Sequence, residues 1–195
     1  MNENNIKNMI FASLFAALYV VGTMIRIPFP VVPLVLTNMF LLLSGFVLGP
    51  LWGTVSVGLY LLIGILGLPI FSGGGGIGVF FGPTGGYLVG YILCALIAGL
   101  FRNLTKGRLY GYIIGAFFGL CAVYLIGIPW LKWIIQADWL KSISVGLVPF
   151  IFGDIFKCIL AVSIIVYISK YSPQFLLNAR WTQSNGDSQP IMNDE

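Results

Sequence analysis

The sequence predicts an all-α integral membrane protein: six transmembrane helices in one compact bundle, with long outer loops that cap a ligand pocket. Of the 195 residues, 58% are hydrophobic and only 8% are charged, whereas about a quarter of the residues of a soluble domain are charged. Residues 27–101 carry no charge at all. A soluble fold so poor in charge would have little to keep it dispersed, so the lipid bilayer is the expected solvent.

The composition excludes several classes of function. The chain has no histidine, and its three cysteines have no C-x-x-C spacing, so we expect neither a metal site nor a cofactor. It has no Walker-type G-x-x-x-x-G-K-[ST] loop, so it does not bind ATP by that route. The sequence also lacks a nucleophile–base pair of the kind that would indicate an enzyme. The net charge of +4 marks the cytoplasmic ends of spans and not a nucleic-acid partner.

The apolar segments are spaced as membrane spans. Most approach the roughly 20 residues that a helix needs to cross a bilayer, and Gly49-Pro50 predicts a tight turn between the second and the third. A cytoplasmic tail, residues 1–7, precedes the six-helix domain of residues 8–170, and residues 171–195 are expected to form a polar, partly disordered cytoplasmic tail. The predicted spans are residues 8–25, 34–48, 51–66, 87–101, 109–128 and 145–168.

Three long connections separate the spans. The first follows Arg26 and has prolines at 28, 30 and 33, which cannot continue a helix. The second, residues 67–87, contains four consecutive glycines. A loop folded over a ligand is favoured over a flexible linker, because Phe71 and Phe80 would otherwise be exposed. The third, residues 129–144, has three tryptophans, which either mark the headgroup level or help to close the pocket.

The basic residues predict the orientation. Six spans place both termini on one side, and cytoplasmic ends of spans carry an excess of Lys and Arg. With the termini inside, the three long connections lie together on the outer face, as expected for a multi-pass protein of the cell membrane. The basic residues are then Lys7, Arg102, Lys106, Arg108, Lys170 and Arg180 inside, and Arg26, Lys132 and Lys141 outside.

Two opposite charges lie in the sixth span. Asp154 and Lys157, three residues apart in FIFGDIFKCILA, share one face of a helix. Ionisable groups within a span usually line a cavity, so we interpret the pair as the polar floor of a pocket for a small amphipathic metabolite. A structural salt bridge is the alternative, although a buried pair is weak evidence for stability. The rival function is a proton-coupled secondary transporter of a small carboxylate metabolite, with Asp154 as the protonation site.

Small residues mark one face of the first span. Ala12 and Ala16 are four residues apart, a spacing that lets another helix approach closely. Packing within the bundle and docking to a partner subunit are both open at this point.

Three stretches together resemble the BioY family, the biotin-binding S components of energy-coupling factor (ECF) transporters. Residues 67–91, GLPIFSGGGGIGVFFGPTGGYLVGY, resemble the family's G-L-P-V-F…G-G…G-P-T-G-G-Y signature. FIFGDIFKCILA is similar to its F-x-x-G-D-x-x-K helix. IPFPVVPLVLTN, followed by GFVLGPLWGTVSVGLYLLIG, resembles its first loop and its second and third spans.

The resemblance implies a subunit that captures biotin with high affinity from the outer face. Its pocket would lie under the three long connections, which are loops 1, 3 and 5 between the six spans. It also implies a transmembrane coupling subunit and two ABC-type ATPases as partners, with Ala12 and Ala16 at the contact with the coupling subunit. Lys157 is then the candidate partner of the biotin carboxylate or of a ureido oxygen, and Asp154 the candidate acceptor of a ureido N–H. Both orientations of biotin stay open.

The resemblance also defines a set of candidate site residues. Where the family pattern V-P-I-T-x-Q has Thr and Gln, this chain has Val35 and Thr37. We expect Thr37 or Asn38 to replace the polar contact that the family pattern would supply at these positions. Phe152 stands where the family often has Pro. The predicted substrate-binding residues are Asp154, Lys157, Tyr87, Thr84, Gly85, Phe71, Gly74, Gly75, Thr37 and Asn38.

Overall fold

The computed structural model describes residues 3–28 and 30–171. These residues are mostly helical, and short 3-10 turns at Ile77–Phe81 and Val148–Phe150 interrupt two of the connections. The predicted C-terminal tail, from residue 172 onward, and Arg180 lie outside the described residues. The elements are α1 (Glu3–Met24), β1 (Arg26–Ile27), β2 (Leu34–Val35), α2 (Thr37–Ile65), α3 (Gly85–Leu104), α4 (Leu109–Ile135), α5 (Trp139–Gly146) and α6 (Ile151–Tyr171).

Five segments are long and apolar enough to cross a membrane. They are α1 from Asn5, α2, α3, α4 and the continuous stretch Trp139–Tyr171, which joins α5 to α6. The prediction of a mostly helical membrane protein is therefore confirmed. Helices suit the bilayer because a helix satisfies its backbone hydrogen-bonding groups internally where no water is available.

Helix α2 doubles back on itself. Gly49 has φ 79° and ψ −176°, a conformation that glycine adopts without steric cost, and Pro50 follows it. Thr37 at one end of α2 and Tyr60 near the other both place their hydroxyls 2.9 Å from Thr23 Oγ1. In a straight helix these two residues would lie about 35 Å apart. The predicted Gly49-Pro50 turn is confirmed, and it makes two antiparallel arms.

The connections collect at two opposite ends of the bundle. Gly49-Pro50 lies against Gly99 and Arg102, so the turn of α2 and the turn between α3 and α4 share one end, called the turn end. At the other end β1 pairs with β2 in a short antiparallel ribbon. The ribbon, the glycine loop (residues 66–84) and residues 136–150 form what we call the loop end.

Hydroxyl groups join α1 to both arms of α2. Thr23 contacts Tyr60 and Thr37, and the Tyr19 and Ser56 hydroxyls lie 2.7 Å apart. All five side chains are buried, and interhelical hydrogen bonds of this kind help to hold membrane helices together.

The small-residue face of α1 packs inside the bundle. Ala12 is 2% exposed and Ala16 is 4% exposed, within the hydrophobic core. Within the single chain these two side chains therefore pack inside the bundle, and their contact with a coupling subunit stays a prediction.

The third long connection is shorter than predicted. Helix α4 continues through Pro129 to Ile135, so residues 129–144 are not one loop. A proline is tolerated within a membrane helix because neighbouring groups and local adjustment satisfy the freed backbone carbonyl. Two of the three tryptophans, Trp130 and Trp133, therefore lie on α4, and Trp139 begins α5.

Candidate functional site

A cleft opens between the helices at the loop end. Its enclosed volume is about 40 Å³, well below the roughly 300–1,000 Å³ of occupied small-molecule sites, so the cleft is narrow in this structure. Residues of the ribbon, the glycine loop, α3, α4 and α6 surround it. Its polar lining includes Asn38, Thr84, Tyr87, Tyr91, Tyr124 and Lys157, and its apolar lining includes Leu88, Val123 and Phe150.

The charge pair of α6 is buried and hydrogen-bonded. Lys157 Nζ lies 2.8 Å from Asp154 Oδ1, and each residue is 3% exposed. Asn38 Nδ2 donates to the same carboxylate oxygen at 3.3 Å, and the Tyr124 hydroxyl donates to Asp154 Oδ2. Three donors from three helices therefore surround one carboxylate, which offsets much of the cost of burying its charge.

The two members of the pair have different places in the site. Lys157, Asn38 and Tyr124 line the cleft, whereas Asp154 lines a separate, apolar groove between α4 and α6. The carboxylate thus lies behind its three donors. The structure makes Lys157 part of the cleft wall and Asp154 the group that organises that wall.

Tyr87 is positioned by two glycines. Its hydroxyl donates to the Gly146 carbonyl at 2.9 Å, and its ring lies against Gly127 of α4. A Cβ atom at Gly127 would lie 2.5 Å from Tyr87 Cδ1, and one at Gly146 would lie 2.4 Å from the Tyr87 hydroxyl. Any larger residue at either position would displace the ring from the cleft.

Ring contacts anchor the glycine loop to the bundle. The Phe71 ring fills the space above Gly64 and packs edge to face on Tyr60 and Phe80, with ring centroids 5.3 Å and 5.8 Å away. Phe71 is 4% exposed, whereas Phe81 is 66% exposed. The apolar residues of the loop that pack on the bundle are Ile70, Phe71, Val79 and Phe80, whereas the others remain exposed.

Hydrogen bonds connect the glycine loop to three other elements. Tyr60 donates to the Ile70 carbonyl at 3.2 Å, and the Arg26 guanidinium of the ribbon donates to the Ser72 carbonyl. Trp130 Nε1 of α4 donates to the Gly82 carbonyl at 3.0 Å. Of the three tryptophans, Trp130 therefore contacts the loop, while Trp133 and Trp139 are exposed.

The structure divides the predicted site residues into two groups. Asn38, Thr84, Tyr87 and Lys157 meet at the cleft. The others lie around it: Asp154 behind the wall, Thr37 in the hydroxyl network, Phe71 and Gly74 beside a second, larger cavity with Arg26, Gly75 against the Leu68 carbonyl and Gly85 against the Phe80 carbonyl.

Two tyrosines of the cleft were missed by the sequence analysis. Tyr91 and Tyr124 both line it, and Tyr124 binds the carboxylate of Asp154. Tyr91 follows Tyr87 by one helical turn on α3. This i, i+4 spacing of two tyrosines within an apolar span could have predicted that Tyr91 lies on the same face as Tyr87.

Comparison with known proteins gives consistent similarities. The BioY family profile matches residues 1–174. The biotin transporter BioY of Thermotoga maritima is 41% identical over 165 residues, which cover 84% of this chain and 96% of the relative. The probable biotin transporter BioY of Pyrococcus horikoshii is 38% identical over 159 residues, covering 81% of this chain and 93% of the relative.

A solved structure has the same fold. The crystal structure of the S-component for biotin from an ECF-type ABC transporter superposes with a TM-score of 0.78 at 33% sequence identity. The match covers 87% of this chain and 95% of that chain.

Proposed function

The chain belongs to the BioY family, and from this premise we propose that it is the high-affinity biotin-binding S component of an ECF-type, ATP-dependent vitamin importer. Its relatives are named biotin transporters, so the chain is a membrane transport protein and not an enzyme. The observation that carries the proposal is the Lys157 ammonium. It is buried within a membrane helix and lies on the wall of the cleft at the loop end, beside other polar side chains.

The chemistry of the cleft suits biotin. An ammonium has three N–H donors, and Lys157 uses one of them on Asp154. The remaining donors match either the carboxylate or the ureido oxygen of biotin. In our hypothesis the nearby carboxylate of Asp154 accepts a hydrogen bond from a ureido N–H. The apolar walls formed by Leu88, Val123 and Phe150 would cover the ring system and the aliphatic chain.

The other candidate residues support the cleft in this proposal. Thr84 and Tyr87 would add polar contacts from its wall. The remainder would act indirectly, by holding the glycine loop and the adjoining helix ends in place; these are Thr37, Phe71, Gly74, Gly75 and Gly85.

The proposed topology has six crossings, with the loop end outside. The two arms of α2 would each cross the membrane, together with α1, α3, α4 and α6. The described basic side chains at the turn end are Lys7, Arg102, Lys106, Arg108 and Lys170, against Arg26, Lys132 and Lys141 at the loop end. Because cytoplasmic ends carry the excess of basic residues, biotin would enter from the outer face beneath the three connections, and both termini would be cytoplasmic.

The energy for transport would come from partner proteins. The sequence has no Walker loop, so a transmembrane coupling subunit and two ABC-type ATPases are the proposed partners. Support comes from the structural neighbour, which is described as a component of an ECF-type ABC transporter.

The proposal is tested by binding measurements on the purified protein. Mass spectrometry of small molecules retained in detergent should detect biotin, and calorimetry should show tight binding without any ion gradient and at both mildly acidic and mildly alkaline pH. A proton-coupled transporter that uses Asp154 as its protonation site would instead bind in a strongly pH-dependent way.

The assignment of the site has its own test. Asp154→Asn combined with Lys157→Ala should abolish tight biotin binding, whereas Lys141→Ala, at an exposed position of α5, should leave it unchanged. Tight binding that survives in the double variant would remove the charge pair from the site.

A further inference from the structure

We infer that the side-chain oxygen of Asn38 accepts a hydrogen bond from a ring N–H group of the bound ligand, and that Asp154 holds the Asn38 amide in the orientation that presents this oxygen. The inference rests on the proposed function and deepens it, because it adds Asn38 to Asp154 as an acceptor for a ring N–H group of the ligand.

The Asn38 oxygen lacks a hydrogen-bond partner. Asn38 is 8% exposed, and its Oδ1 atom is buried with no donor among the described residues. Buried polar atoms are normally paired, and an unpaired one calls for an explanation. Among the described residues the other such side-chain atoms belong to Asn8 and Trp52, and neither lines the cleft. Asn38 does line it.

The orientation of the Asn38 amide follows from its neighbour. A carboxylate accepts hydrogen bonds and does not donate them. Asp154 already receives Lys157 at 2.8 Å and the Tyr124 hydroxyl, so it must face the amide NH₂ group, which lies at 3.3 Å. The amide carbonyl is thereby turned away from Asp154, and the reverse orientation would set two acceptors against each other.

The cleft sets a hydrogen-bond donor beside the unpaired Asn38 acceptor. Lys157 has further N–H groups to donate, and it bonds the same Asp154 oxygen as Asn38 Nδ2. The Lys157 and Asn38 nitrogens therefore lie within about 6 Å of each other. A cyclic urea carries a carbonyl oxygen flanked by N–H groups. That pattern complements an ammonium donor beside an amide acceptor, so the ligand would supply the missing partner of Asn38.

The test compares biotin with analogues that lack one ring N–H. Two carbamate isomers, each with one ureido N–H replaced by oxygen, would be titrated by calorimetry against the wild-type chain and against Asn38→Leu and Asn38→Ala. The wild type should bind one isomer on the order of 10- to 100-fold more weakly than biotin, because its oxygen faces the Asn38 oxygen. In both variants that ratio should fall to about 3 or less, and biotin itself should bind on the order of 10-fold more weakly.

Two further variants separate positioning from folding. Asn8→Leu removes another buried, unpaired asparagine and should leave the affinity and the ratio unchanged. Asp154→Asn should reduce the ratio between biotin and the sensitive isomer, because an amide at position 154 no longer dictates how Asn38 is turned. A merely structural loss at Asp154 would weaken all three ligands equally and leave the ratio as it was.

The outcomes distinguish this inference from the proposed function. If the folded wild type binds biotin and the Asn38 variants keep its full isomer ratio, the role of Asn38 is wrong and the proposed function stands. If the folded wild type does not bind biotin, the proposed function itself fails.

Discussion

Lys157 donates a 2.8 Å hydrogen bond to Asp154 one turn earlier on α6, and the two side chains are only 4% and 5% exposed. Little of either charged group is exposed to solvent that could replace a lost partner. Asp154 has two further donors, Asn38 and Tyr124, whereas Asp154 is the acceptor that the structure gives to Lys157. The pair therefore behaves as one neutral unit, and its members should respond differently to mutation.

Removing both members of the pair should cost less stability than the two single losses added together. Breaking a buried ion pair typically costs about 3–5 kcal/mol, because the remaining charge is left uncompensated. We expect Asp154→Asn to lower the midpoint of thermal unfolding in detergent more than Lys157→Ala does, since the carboxylate keeps two donors when the lysine is removed. The double variant should be more stable than the sum of the single losses predicts. Additive losses would show that the two charges are not coupled.

The hydroxyl of Tyr124 should contribute to both stability and binding. Tyr124→Phe removes a donor to a charged group, which is worth about 1.5–3 kcal/mol, and it leaves the ring in place. We expect a lower unfolding midpoint and weaker biotin binding by calorimetry. Tyr110→Phe, at a half-exposed position on the same helix, is the matched control. Equal behaviour of the two variants would contradict the role of the Tyr124 hydroxyl.

The sequence predicted those features that local patterns encode. The helical spans follow from the length of the apolar segments, the reversal in α2 from Gly49-Pro50, and the shared face of Asp154 and Lys157 from their spacing. Each of these depends on residues that are close together in the chain, for which period and turn chemistry are informative.

Contacts between distant residues could not be predicted in the same way. Asn38 and Tyr124 lie 116 and 30 residues from Asp154, and no local pattern relates them. Small residues on α1 fit either a partner or the bundle, and the sequence alone does not show that Ala12 and Ala16 pack inside the bundle. The predicted fifth span ends at residue 128, directly before Pro129, but α4 continues through this proline.

Gly127 should tolerate no larger residue. In Gly127→Ala the new methyl group would lie 2.5 Å from the Tyr87 ring, so the ring or the backbone of α4 must move. We expect a lower unfolding midpoint and weaker biotin binding. Gly58→Ala is the control, because a Cβ at this α2 position meets nothing within 4 Å, and alanine favours a helix by up to about 1 kcal/mol over glycine. Unimpaired binding in Gly127→Ala would show that the position of Tyr87 is unimportant.

Arg26 should slow the release of biotin. Its guanidinium binds the Ser72 carbonyl and so ties the ribbon to the glycine loop, beside the cleft that both elements line. Arg26→Gln shortens the side chain and removes its charge, so the loop should open more often. We expect faster hydrogen exchange at the backbone amides of residues 72–76 and a several-fold faster dissociation of biotin. The association rate should change less, because most effects of single contacts on affinity appear in the dissociation rate.

The loop has other attachments that the Arg26 variant leaves intact. Phe71 remains packed on Tyr60 and Phe80, so the loop should loosen locally, and the unfolding midpoint should change little. Lys141→Gln removes an exposed basic residue at the same end of the bundle, and it controls for the loss of positive charge near the entrance. If Lys141→Gln accelerates dissociation as much as Arg26→Gln does, then the charge at the entrance, and not the bond to Ser72, retains the ligand.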